Sequence, residues 1–117
     1  NFKMAITHTQ TVTHLQIVNN SDNIVSEVNV TTVSVDDSDP TTLTIQGDDT
    51  IGITTEGITT STAGFVAYDS LTQDTILNWD PVKTALAESN TKINHEAWIN
   101  SVKTPPTPSH VDKALPF

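Results

Sequence analysis

The apolar residues of this chain change their period once, between Gly64 and Trp79. Before that stretch they alternate, as in strands; after it they recur at helical spacing. Sequential short strands with turn residues between them favour an antiparallel meander or small sandwich. The chain therefore reads as α+β, mainly β. Residues 4–67 form the sheet, two or three helices follow within 70–103, and an extended Pro-rich arm occupies 104–117. Residues 1–103 read as one domain. Phe65, Tyr68 and Trp79, three of the six aromatics, lie at the changeover.

A chain of 117 residues can bury a modest core in a single domain. Thr is its commonest residue, a type suited to the solvent-facing positions of strands. The net charge of −9 and few aromatics would fit disorder. The strand-like alternation of Val and Ile argues against that for most of the chain. All five basic residues are Lys and the isoelectric point is near 4.4. Phosphate and base recognition draw on Arg forks and basic patches, so nucleic acid and anionic membranes are excluded as partners. The imbalance is also local: residues 1–69 hold one Lys against nine acids, and 70–117 hold four against five. An acidic half facing water and a near-neutral half docked on something would account for it. Cys is absent, which removes disulfides and thiol chemistry. No apolar run approaches the length of a membrane span.

In order, Met4 to Val18 holds apolar residues of both parities, which a bulge near Thr13-His14 reconciles. The polar turn Asn19–Asn23 leads into a second strand region, Ile24 to Val35, for an antiparallel hairpin. In this second region Val28 and Val30 share one phase and Val33 and Val35 the other. After the acidic loop Asp36–Pro40, Leu43 and Ile45 mark a third strand and Gly47-Asp48-Asp49 a turn. Ile51 and Ile53 then mark a fourth strand, Ile58 to Thr62 a short fifth, and Phe65 to Ala67 a last. Thr72 suits a helix N-cap, and Asp80-Pro81 restarts a helix with Asp capping and Pro at its first position. Pro81 to Lys103 reads either as one helix or as two, the second starting at Ser89 or Asn90. Its apolar stripe is Ile93, Ala97 and Val102, with Trp98 and Ile99 beside it. Trp79 and Trp98 are most simply core residues. Pro105, Pro106 and Pro108 stop the helix and stiffen the chain. They carry an apolar tip, Leu115-Pro116-Phe117, that is poorly suited to burial against its own domain.

No constellation for catalysis stands out. His8 and His14 lie roughly 20 Å apart on an extended strand, too far for one metal. His95-Glu96 lacks the second His of a metalloprotease helix. Asp36-Asp37-Ser38-Asp39 and Gly47-Asp48-Asp49 offer oxygen ligands without matching a calcium loop. No catalytic residue, metal or cofactor is assigned.

Met4-Ala-Ile-Thr7, Tyr68-Asp-Ser-Leu-Thr-Gln-Asp-Thr-Ile-Leu-Asn-Trp79 and the Pro105-Pro106 tail ending Leu115-Pro116-Phe117 together resemble a family of short phage proteins. The chain departs from that family in ending with Phe where Trp is more usual, and in the Asp80-Pro81 interruption. The resemblance implies a non-enzymatic virion structural protein, assembled in the host cytoplasm, most simply a capsid decoration or cement protein. Its partners would be a major capsid or tail protein and copies of itself, making it a homo-oligomer in the particle. The expected partner-binding residues are Pro105, Pro106, Pro108, Leu115, Pro116 and Phe117, with Trp98 on the helix before them. Two other readings are a tail, neck or fibre component, and a carbohydrate- or Ca²⁺-binding surface module using Trp98 or the acidic loops.

Overall fold

A computed structural model describes residues 6–38, 42–104 and 108–117. Three long antiparallel strands, β1 (Ile6–Ile17), β2 (Val25–Asp36) and β3 (Leu43–Gly52), form one sheet in the order β1-β2-β3. Helices α1 (Gln73–Leu77), α2 (Asp80–Ser89) and α3 (Thr91–Lys103) pack on one face of it. The fold is α+β, as the change of period requires.

The β1–β2 hairpin closes through Val18 N–H to Ile24 O at 2.8 Å. Asn20 Oδ1 accepts the Asp22 N–H inside the turn, and Asn23 takes the left-handed conformation that Asn tolerates. The expected bulge is present: pairing steps from Val12↔Val30 to His14↔Asn29, leaving Thr13 extra. Ile6, His8, Gln10 and Val12 therefore share the covered face with Leu15, although their parities differ. At the bulge the Val12 N–H is taken by Gln73 Oε1 of α1, 3.0 Å away.

β3 runs unbroken through Gly47-Asp48-Asp49, where a turn was expected. The cause is tertiary. Gly47 faces α3, and a Cβ there would lie 3.0 Å from His95 Nε2. Glycine in the strand makes room for an imidazole. No strand follows β3 in the 53–67 segment, against the expectation of a continued fourth, a fifth and a last. Ile53 N–H still reaches Ser26 O of β2, and beyond it the backbone bonds are local, Ile58 N–H to Thr55 O, Thr62 N–H to Thr59 O and Phe65 N–H to Thr62 O. Gly57 and Gly64 sit at φ of 79° and 81°, which breaks any extended run.

Thr72 caps α1 as expected, its side chain accepting the Thr75 N–H. At the restart the N-cap is Trp79, and Asp80 is the first helical residue without a side-chain cap bond. Asn90, left-handed at φ 55°, separates α2 from α3, so 81–103 is two helices. The core gathers Val25, Val28, Val30, Ile51, Ile76 and Val82, with Leu71, Trp79, Ala85 and Leu86 packed against it. Each of these buried aliphatics contributes on the order of 1.5–3 kcal/mol. The stripe of α3 is rotated from the expected one. His95 and Ile99 are buried, whereas Ile93, Trp98 and Val102 are exposed.

Candidate functional site

Period two along β2 explains why the inner face of this fold is half polar. With Val28 and Val30 inward, Thr32, Ser34 and Asp36 must be inward too, and all three are fully buried. Buried polar groups need partners. The neighbouring strand and α3 supply them.

Ser34 Oγ lies 2.6 Å from His8 Nδ1 and 2.8 Å from His95 Nδ1. The far nitrogen of His8, Nε2, lies 2.8 Å from Glu96 Oε2. A carboxylate only accepts, so Nε2–H of His8 donates to Glu96, which makes Nδ1 of a neutral His8 an acceptor. Ser34 then donates its single proton to His8 and accepts from His95 Nδ1–H. The proton order His95→Ser34→His8→Glu96 gives each of the three contacts one donor and one acceptor. Burial holds the His95 imidazole below its ordinary value, reinforced by the neighbouring His8 and opposed by Asp49.

At the end of β2, Asp36 Oδ1 accepts from Ser38 Oγ at 2.5 Å, from Ser38 N–H at 2.8 Å and from Lys103 Nζ at 3.1 Å. Lys103 also donates to Ser38 O and Ser38 Oγ. The hydrogen bonds from Ser38 hold the Asp36 carboxyl below the usual range, against burial and with help from the Lys103 ammonium. Among the described residues, Asp36 Oδ2 has no partner.

Carboxylate, imidazole and hydroxyl stand here in the sequence of a hydrolytic triad. The triad comparison stops at access. Ser34 sits in the middle strand beneath α3 with no exposed surface, so no substrate carbonyl can approach its oxygen. The cluster registers α3 on the sheet. Asp39 of the acidic loop lies outside the described residues, and among the described ones the acidic side chains do not converge on a cation. Asp48 and Asp49 lie on opposite faces of β3, bonded to Thr31 and Thr91 respectively. Among the described residues no group of three or more His, Cys, Asp or Glu could hold a metal, and no helix is long and apolar enough to cross a membrane.

The residues expected to bind a partner fall into two groups. Pro105 and Pro106 lie outside the described residues. Pro108, Leu115, Pro116 and Phe117 are exposed, Leu115 at 73% and Phe117 at 97%. Trp98 is 41% exposed on α3, not in the core. At the opposite end of the sheet from Lys103 is an apolar groove of about 240 Å³. Ile24, Val25, Ile53, Phe65, Leu71 and Trp79 line it. Sequence reasoning missed both the groove and the Ser34 cluster. Phe65 has the composition of a strand residue, while the phase of Val28 and Val30 carries the signal for a buried Ser34.

Residues 5–112 match the family described as Domain of unknown function (DUF7936), and over that span the chain belongs to it. No curated protein and no solved structure matches the chain.

Proposed function

We propose that this family member is a non-enzymatic structural subunit of a phage virion, most simply a capsid decoration or cement protein held through its arm and helical half. The observation that carries this reading is the arm. Val111, Leu115 and Phe117 are 78%, 73% and 97% exposed, and burying such side chains is worth about 1.5–3 kcal/mol each. An apolar tip presented on a Pro-rich stalk gains that energy only from a surface beyond its own domain. Many weakly held copies in a symmetric particle would then sum to firm attachment. The resemblance of the tail and of the Tyr68–Trp79 stretch to short phage proteins supplies the biological setting. The acidic sheet half would face water and the near-neutral helical half the particle.

The test is truncation after Thr104, followed by thermal melting of the isolated protein and by its uptake into particles. An unchanged melt with lost uptake is the expected result. A collapsed melt would place the arm in the domain's own core and sink the reading. So would normal uptake without the arm.

A further inference from the structure

The arm and the groove are at opposite poles of one molecule. Lys103, the last residue of α3, is tied to Asp36 and Ser38 at one end of β2. Ile24 and Val25, at the other end, line the groove. The strand between Val25 and Asp36 spans about 36 Å at 3.3 Å per residue. The segment from Lys103 to Leu115 would cover about 37 Å as polyproline II, so the arm could reach its own groove only when drawn taut along the whole sheet. The tip is not seated in that groove, since Leu115 and Phe117 are exposed. The molecule is 81 Å long, with a radius of gyration of 21.1 Å. A compact chain of this length would have a radius of about 13 Å.

We propose that the groove of one copy receives the Leu115-Pro116-Phe117 tip of a second copy, joining subunits head to tail. This deepens the reading above and rests on its claim that the arm docks outside its own domain. The fit is one of size and chemistry. An apolar cavity of about 150 Å³ can hold a benzene ring. The groove, at about 240 Å³, has room for the Phe117 ring and part of the proline before it. Its walls are mostly aliphatic and aromatic, with Asn23, Thr54 and Thr62 among them, and one wall is the stretch from Ile58 to Val66, whose backbone bonds are local turn bonds. That wall can move to admit a side chain without breaking a strand pair. A second depression, of about 430 Å³, sets Leu77, Leu86, Ala87 and Ile93 among Gln10, Asn90, Lys83 and Lys92, and its two ammonium groups suit an apolar tip less. Because the two contact surfaces differ, the join is heterologous. It closes into a ring if the rotation per subunit allows and otherwise continues as a filament.

The experiment uses two variants of the full chain. One carries Leu115→Ser with Phe117→Ser, which spoils the tip and keeps the groove. The other carries Ala63→Trp, which fills the groove from an exposed position lining it and keeps the tip. Sedimentation of the unaltered chain should shift from monomer to dimer and larger species as concentration rises. Each variant alone should stay monomeric, and an equimolar mixture should give a dimer that grows no further. A synthetic peptide of residues 108–117, added to the tip variant in a Trp98→Phe background, should shift the fluorescence of Trp79. Unaltered chain that stays monomeric at every concentration would overturn the inference, as would a mixture that yields no dimer. A groove protected by its own arm in the monomer, seen as Trp79 emission that changes on tip mutation without any change in mass, would also overturn it. Particle uptake is read separately. Lost uptake of the tip variant with no self-association refutes the head-to-tail join and leaves the virion reading standing. Self-association with normal uptake of both variants does the reverse.

Discussion

The two halves of the buried sheet face solve the same covering problem in different ways. At one end Val25, Val28, Val30 and Ile51 meet Ile76 and Val82, and the attraction is non-directional. At the other, Thr32 meets Gln10, Ser34 meets His8 and His95, and Asp36 meets Lys103, and each polar atom requires a partner in a set place. The apolar end supplies most of the driving force for burial. The polar end fixes where α3 lies, because sliding it by one residue would orphan Ser34, His95 and Asp36 together. Stability and alignment are thus assigned to separate ends of one strand.

Substitutions can break that division. The largest expected loss comes from the apolar end: Ile51→Ala should cost about 2–5 kcal/mol in denaturant unfolding, by the same amount at pH 5.5 and pH 7.5. Lys103→Met should come next. It leaves the Asp36 carboxylate covered and without its cation, yet Lys103 is near the margin of the fold, where water can partly replace it. Its thermal melt should fall. The loss should shrink toward low pH, since the folded-state pKa of Asp36 is depressed and the stability it contributes disappears as pH falls through that value.

Gly47→Ala should cost about 1–3 kcal/mol, because the new methyl group presses on the His95 ring. Little or no loss would show that α3 is not held in register there. The pH dependence of the unaltered chain sharpens the contrast further. The His95 pKa is lowered in the folded state, so the unfolded chain takes up its proton first as pH falls below the ordinary value of 6.5. Stability should be complete above that pH and decline below it. His95→Gln should flatten the slope, and Ile51→Ala should leave it unchanged. The smallest effect belongs to the uncovered face, where Thr9→Val should stay within about 0.5 kcal/mol.

Much of this architecture could be read from residue patterns. The hairpin, the bulge at Thr13, the Thr72 cap and the restart at Asp80-Pro81 follow from local chemistry and short periods. The failures were long-range. Gly47-Asp48-Asp49 carries the composition of a turn, but its glycine answers to His95, far along the chain. Ile93, Ala97 and Val102 form the better apolar stripe of α3, yet the surface it covers is polar, so His95 and Ile99 face inward. The β2 sequence offers two phases, Val28 with Val30 and Val33 with Val35, and the first is the one that runs inward from Val28 to Asp36. Holding it constant places Ser34 and Asp36 inside and asks what bonds them. The groove was hidden because its wall, 54–67, has strand-like composition yet forms no strand.

The uncovered face of the sheet presents Thr7, Thr9, Thr11, Thr44 and Thr50, with Thr13 and Thr31 bonded to each other and Thr31 to Asp48. Among the described residues no helix leans on it. Mutation can therefore drift across this surface, altering its charge, hydration and wettability, while the fold beneath is inherited intact.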